Sequence, residues 1–455
     1  MKSRTSWRRS DSRSAPSIDV TRHRNPPPHT AAGWIPTLQM CCMVLLTSCG
    51  DPVEQPQVSD STRSDSRIAH MKNEPIVRVR LADVDSASDT IELGTSGQRI
   101  EVWTSKTTRD LTGPVRIERT GDGWTVHETT RSHSWTGDQL EVSSTTPLLL
   151  DREGTSRHYA GVLHCVSTGN NGKLEWNLIE HIGLERYLPG VLVAELYAGW
   201  TFECYAAQCV AARSFACMRI AQRTHHQFDV TDGPSTQAYH GVVDDETAHT
   251  AQSETSGIVL SWNDHLVPGY FSSCCGGRAA TAVDAIGPSP VNDIPPLMGH
   301  TNDDYCVNAP LFDWTIDRSA RTLGRRLSRY GRMVGNTDLE SMTTVSEIQI
   351  AHENIHGRPV KLKIIDRNKH HAILTTDMFF RAANHSGSLG RPAKELWSGW
   401  SVGTTERGRI DLQGHGFGHG AGLCQYGAQA MGKQGHSWRQ IIKWYFPDVT
   451  LHRAW

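Results

Sequence analysis

The sequence predicts an α+β fold, with a sheet-rich N-terminal part followed by a mixed α/β core built on a long buried helix. Two observations carry this. From Pro75 to Gly183, short β-branched runs alternate with Gly, Asp and Ser, the texture of strands separated by turns. Then Tyr187 to Ile220 (YLPGVLVAELYAGWTFECYAAQCVAARSFACMRI) carries apolar residues and alanines every three or four positions, the period of a helix. From Phe202 onward this stretch has no Gly or Pro and is apolar on more than one side, so it reads as a helix packed all round.

Taken in order, residues 1–30 are rich in Arg, Ser and Pro and contain nothing from which a core could be built. Ala31 to Leu46 is an apolar run interrupted by Pro36 and Gln39, too short to span a bilayer comfortably. It ends in LTSCG, which looks like a bacterial lipoprotein cleavage box with Cys49 as the lipidated residue. The expectation is an export signal over 1–49, a polar tether over 50–74, and a cell-envelope location with a lipid anchor in the membrane. IVRVRLA, RIEVWTS, PVRIERT, GWTVHET, QLEVSS, HYAGVLHCVS and LEWNLIEHIG read as strands of a β-rich part over 75–185, spaced as in a small barrel or sandwich.

The core over 186–455 opens with helical spacing to Leu196 and a turn at Gly199-Trp200-Thr201, where Thr201 is placed to cap the next helix. Residues 227–239 read as a loop and Asp245 to Ser256 as a short helix opening on acidic residues. GIVLSWNDHLVPGYFSS reads as a hairpin turning at Asn263-Asp264. A Pro-rich connection follows over Ala285 to Asn308, then an Arg-rich helix over Trp314 to Met333 whose basic face reads as solvated. VSEIQIAHENIHGRPVKLKIIDRNKHHAILTT is a meander turning at Gly357, and SWRQIIKWYF an amphipathic C-terminal helix. No internal stretch is long and apolar enough for a transmembrane helix.

Charge is nearly balanced, 46 basic against 48 acidic residues, which argues against a nucleic-acid partner. Of eleven cysteines, Cys41, Cys42 and Cys49 belong to the leader, and Cys204, Cys209 and Cys217 fall on the predicted helix as small buried residues. Cys274 or Cys275 with Cys306 is the pair expected to form a disulfide in an oxidising compartment.

Chemistry centres on Glu195, a carboxylate in an apolar neighbourhood. Desolvation disfavours its charged form and raises its pKa toward the range of a general acid; the alternative is a structural salt bridge to Arg213. YLPGV, Glu195 and AAQCVAARSFA, then VPGYFSSCCGGRAA (Val267 to Ala280) and GHGFGHGAGLCQYGAQAM (Gly414 to Met431), together resemble the stage II sporulation protein D family of peptidoglycan lytic transglycosylases and amidase-modifier relatives. The resemblance covers about residues 75 to 455. It implies that Glu195 is the catalytic glutamate and that the substrate is the glycan strand of peptidoglycan. The alternative it implies is a non-catalytic glycan-binding enhancer whose partner is a cell-wall amidase. Gln208, Arg213, Tyr270, Ser273, Arg278, His419 and Gln425 fall at positions implied to bind substrate.

Glycoside hydrolysis usually takes two carboxylates, and the quoted blocks offer none besides Glu195. That fits a lytic reaction, in which one group protonates the glycosidic oxygen and then takes the proton of the muramic acid 6-hydroxyl as it closes to a 1,6-anhydro ring. Leu196-Tyr197 stands where the family commonly has Met-Pro, so the loop after Glu195 is expected to differ. His415 and His419 stand four apart, but their glycine-rich setting argues against a helical metal site. The His/Cys zinc cluster of some sporulation members is not carried over, because Ser235-Thr236 replaces its His-Cys and only His225 and His226 remain. No metal ligand and no cofactor is assigned.

Overall fold

The computed structural model describes residues 72–84, 90–152, 154–168, 174–300, 304–393, 395–396 and 399–455. The expected export signal, Cys49 and the expected tether, up to residue 71, lie outside the described residues. The fold is α+β, sheet-rich at its N-terminal end. A seven-stranded sheet runs in the order 230–231, 76–84, 176–183, 162–167, 139–143, 99–103 and 108–112. A six-stranded sheet runs 155–159, 148–152, 91–93, 115–120, 123–127 and 132–136.

The alternation that marks these strands in the sequence is the alternation of burial. In Val115–Thr120 the valine, Ile117 and Arg119 point inward while Arg116 and Thr120 face out. The two sheets share one core, with Trp124 of one meeting Trp176 of the other edge-on at 5.3 Å. Thr108–Thr112, Ser132–Thr136 and Leu148–Arg152 are strands that the sequence reading leaves out, and it catches Thr155–Tyr159 only by its last two residues; except for Leu148–Arg152 each buries a single residue, too few to mark a period.

Nine α-helices occur among the described residues: α1 (Leu184–Glu195), α2 (Phe202–Gln222), α3 (Glu246–Glu254), α4 (Ala282–Ala285), α5 (Ala320–Val334), α6 (Thr337–Glu340), α7 (Thr376–Asn384), α8 (Gln425–Lys433) and α9 (Trp438–Tyr445). Helix α2 is the central one. Residues 204–214 are buried without a break, and Thr201 caps its start, accepting from Cys204 N at 3.3 Å. The hairpin at Asn263-Asp264 is present, with both residues at positive φ (48° and 63°), the backbone a two-residue type I′ turn needs. A capping box at Ser437 and Gln440 opens α9.

Residues 313–415 build a second core. Strands 313–319, 409–415, 400–406, 345–353, 359–366 and 371–375 form a six-stranded sheet that packs with α5 and α7 around Leu323, Leu327, Ile348, Leu362, Phe379 and Leu412. Two expectations need correction here. The Arg-rich helix begins at Ala320, because Asp313–Ser319 is a strand burying Trp314, Ile316 and Arg318 against strand 409–415. Nor is its basic face wholly solvated. Arg326 is buried and donates to the carbonyls of His385 and Gly390; Arg318, in the strand before the helix, is buried too and donates to that of Ala383 at 2.8 Å.

Candidate active site

Glu195 is the last residue of α1, where the chain leaves the helix through Leu196 and turns at Gly199 (φ 80°) into α2. Its carboxylate is only partly exposed and is held from two sides. Ala238 N donates to Oε1 at 2.8 Å, and the Gln425 amide donates to Oε2 at 3.4 Å. Burial pushes the Glu195 carboxyl up to about 7, against the smaller downward pull of these two hydrogen bonds. At neutral pH such a group is divided between acid and carboxylate, the condition for giving a proton and then taking one.

The loop that supplies Ala238 is fixed by its neighbours. Gln237 is fully buried, donating to the Ala212 carbonyl at 3.2 Å and accepting from the Tyr187 hydroxyl at 3.4 Å. Tyr239 packs on Tyr187 with ring centroids 4.7 Å apart. Gly190, in YLPGV, makes this approach possible: a Cβ there would lie 2.3 Å from the Gly241 carbonyl and 2.6 Å from the Tyr239 ring. On the other side, Gln425 opens α8 just after the short parallel pairing of 271–272 with 423–424.

Beside these groups stand three partly exposed aromatic rings. Trp200 lies 5.3 Å from Tyr197 and 5.0 Å from Tyr426, centroid to centroid. Tyr197 is two residues beyond Glu195, and Tyr426 follows Gln425. The sequence reading did not single them out, although Tyr197 and Trp200 sit in the loop where the family pattern is broken. Partly exposed aromatic rings of this kind are suited to stacking on sugar rings.

Of the other expected site residues, the structure brings none against Glu195 among the described interactions. Arg213 lies apart from Glu195. It is fully buried, and its guanidinium grips Glu185 of α1 through two bonds, Nε to Oε1 at 3.0 Å and Nη2 to Oε2 at 2.8 Å. Arg213 is thus paired with Glu185 and not with Glu195. Gln208 is also fully enclosed, and neither amide atom meets a partner among the described residues.

Tyr270 donates its hydroxyl to Asn292 at 2.9 Å, and Ser273 uses its carbonyl to accept from Tyr426 N at 3.1 Å. Arg278 is exposed, donating to the Gly357 carbonyl at 2.6 Å and lying over Trp400. His419 accepts at Nδ1 from Ala421 N at 3.0 Å, which leaves the ring proton on Nε2. Burial and the nearby Arg358 charge lower its pKa to about 4, so it is neutral at pH 7. His415 instead pairs with Asp313 at 2.5 Å and stacks on Trp400. The second carboxylate of the stretch around α2, Glu203, accepts from Trp438 N.

The expected disulfide is absent: none of the eight described cysteines is joined to another. Cys275 and Cys306 are nonetheless adjacent, their sulfurs 3.5 Å apart.

The site thus joins an acid tuned by burial, held by an amide and a backbone N–H, to chain segments that carry three partly exposed aromatic rings. Residues 172–262, which contain Glu195, match the family model of the stage II sporulation protein, SpoIID. The chain is 25% identical over 297 residues to the amidase enhancer of Bacillus subtilis, covering 58% of this chain and 40% of that protein. It is 22% identical over 299 residues to the stage II sporulation protein D of the same organism, covering 61% of this chain and 76% of that protein. An uncharacterized protein of Brachyspira hyodysenteriae is 26% identical over 276 residues, 60% of this chain and 68% of that relative. Residues 172–262 thus carry a stage II sporulation protein match, and the chain is similar over about three-fifths of its length to proteins of that kind.

Proposed function

We propose that this protein cleaves the glycan strands of peptidoglycan by a lytic transglycosylase reaction with Glu195 as acid and then base. The observation that carries the reading is the Glu195 carboxyl, raised to about 7 and oriented by Ala238 N–H and the Gln425 amide. In the first step the protonated carboxyl gives its proton to the glycosidic oxygen as the bond to the anomeric carbon breaks. In the second the carboxylate takes the proton of the muramic acid 6-hydroxyl, whose oxygen closes onto that carbon, returning Glu195 to its acid form. Purified peptidoglycan incubated with the protein and analysed by mass spectrometry is expected to yield 1,6-anhydro-muramic ends. Their absence under conditions where the protein binds glycan overturns the reading.

A second reading is a non-catalytic glycan-binding enhancer of a cell-wall amidase, favoured by the relative that bears the name amidase enhancer. It uses the aromatic trio but not the Glu195 proton. Both readings make Trp200 a sugar platform. Trp200→Ala is expected to weaken glycan binding roughly two- to tenfold, the worth of one aromatic stack. In kinetics this appears as a raised KM with little change in kcat. An unchanged KM removes the platform role.

An exported protein anchored through Cys49 belongs to the same reading, since the substrate lies outside the cytoplasm. Cys49→Ala is expected to move the protein from the membrane fraction to a soluble exported one. Unchanged fractionation removes the lipid anchor and leaves export standing.

A further inference from the structure

We propose that Cys274, Cys306 and Cys424, with Cys275 as the fourth ligand, bind one zinc ion as a structural tetrathiolate centre. The sulfurs of Cys274, Cys306 and Cys424 all lie within 4.8 Å of one another, and all three residues are buried. The Cys275 sulfur lies 3.5 Å from that of Cys306 but stands outside the mutual 4.8 Å set. Zinc bonds thiolate sulfur at about 2.3 Å in a tetrahedron, which sets ligand sulfurs about 3.8 Å apart; three sulfurs are already close to that spacing, and a side-chain rotation of Cys275 would close the S4 site. Four thiolates and no imidazole or carboxylate select a soft-tolerant tetrahedral ion over magnesium or calcium. A disulfide would use two of these sulfurs and leave the other two packed against it.

The backbone around the cluster is built for such a centre. The parallel pairing of 271–272 with 423–424 sets Cys424 beside the Cys274–Cys275 pair, and Cys274 forms a reciprocal bridge with Phe417 at 3.0 and 2.8 Å. Gly416 and Gly276, both at positive φ, let these segments cross closely; a Cβ on either would meet backbone of the other at 2.8–3.1 Å. Cys275 N points at the Cys424 sulfur at 3.4 Å, the kind of N–H that supports a metal-bound thiolate.

Charge points the same way. Four thiolates on one Zn²⁺ leave a net charge of about −2, which is costly to bury without a counter-charge. Arg358 is buried beside the cluster, and its hydrogen bonds run to the carbonyls of Cys275 (2.6 Å), Arg278 (2.9 Å) and Gly418 (3.3 Å) rather than to a carboxylate. Its charge acts on all four cysteines. A metal thiolate centre supplies the anion that this enclosed guanidinium faces. The centre is separate from the loop of His225 and His226, and it does not depend on the glycan reading. It would fix Cys424 and hence the start of α8, where Gln425 reaches Glu195.

The test is elemental analysis of the full chain purified without chelator, paired with thiol titration. About one zinc per chain is expected, with Cys274, Cys275, Cys306 and Cys424 blocked to alkylation until a chelator removes the metal. Cys306→Ser and Cys424→Ser are each expected to lose the zinc. Should those variants fail to fold, cobalt substitution in the wild-type chain decides the matter. Tetrahedral thiolate coordination gives intense visible bands and a sulfur-to-cobalt charge-transfer band, and their absence overturns the proposal. Metal-free protein in which mass spectrometry finds Cys306 disulfide-bonded to Cys275 or Cys274 overturns it as well.

Discussion

Glu195→Gln is expected to lower glycan cleavage by about a hundredfold to ten-thousandfold, the range that general acid–base groups contribute, with glycan binding retained. The amide keeps the shape and can still accept from Ala238 N, but it has no proton to transfer. In the wild type, kcat/KM should fall on the alkaline side with an apparent pKa of about 7, where the carboxyl loses its proton. The substitution abolishes that limb together with the rate. Under the enhancer reading the same variant stimulates an amidase as well as wild type does, and wild type gives no anhydro product. Full cleavage by a folded Glu195→Gln protein rules out the mechanism.

The same group has a signature in stability. Its pKa rises from 4.5 to about 7 on folding, so the folded state binds the proton more tightly than the unfolded state does. The resulting stabilisation is present below about 4.5 and is lost as pH rises through about 7. Stability relative to Glu195→Gln should therefore decline over that interval, which a series of melting curves would read. A parallel pH dependence in both proteins would show that Glu195 titrates elsewhere.

How far the sequence discloses this site can be judged from particular residues. Glu195 is legible because it is a carboxylate set among apolar positions of a helix end, and burial does raise its pKa. The long helix and its Thr201 cap are legible from local pattern alone. Ala238 is not, because it contributes a backbone N–H, which any residue but Pro carries. Nor is the full thiol cluster: Cys306 is expected near Cys274 or Cys275, but Cys424 is brought to them by a sheet pairing across more than a hundred residues. The aromatic trio shows only once Tyr426 of α8 has been set beside the loop of Tyr197 and Trp200.

Arg213→Ala is expected to destabilise the protein by about 3–5 kcal/mol, because it strands a buried carboxylate. Helices α1 and α2 are joined by a short link, and the pairing follows from helical rise. Arg213 lies eleven residues into α2 and Glu185 ten residues before the end of α1, each about 15 Å from the turn. Glu195, at the turn itself, is out of its reach. Glu185 is further tied by Gln252 (2.7 Å), Gly257 N (2.8 Å) and the indole of Trp455 (3.2 Å), so the pair fastens α3 and the C-terminus to the helical hairpin. Burial works to raise the Glu185 pKa, but the Arg213 bonds and charge, with Gly257 and Gln252, outweigh it and hold the carboxyl below its ordinary value. The stabilisation is therefore present above the unfolded pKa and is lost as pH falls through the folded one. Melting curves should show the gap between wild type and Arg213→Ala narrowing in acid. Arg213→Lys keeps the charge but loses the two-pronged grip, so it should fall between them. A variant at position 213 that melts like wild type but binds glycan poorly would overturn this assignment and return Arg213 to the substrate.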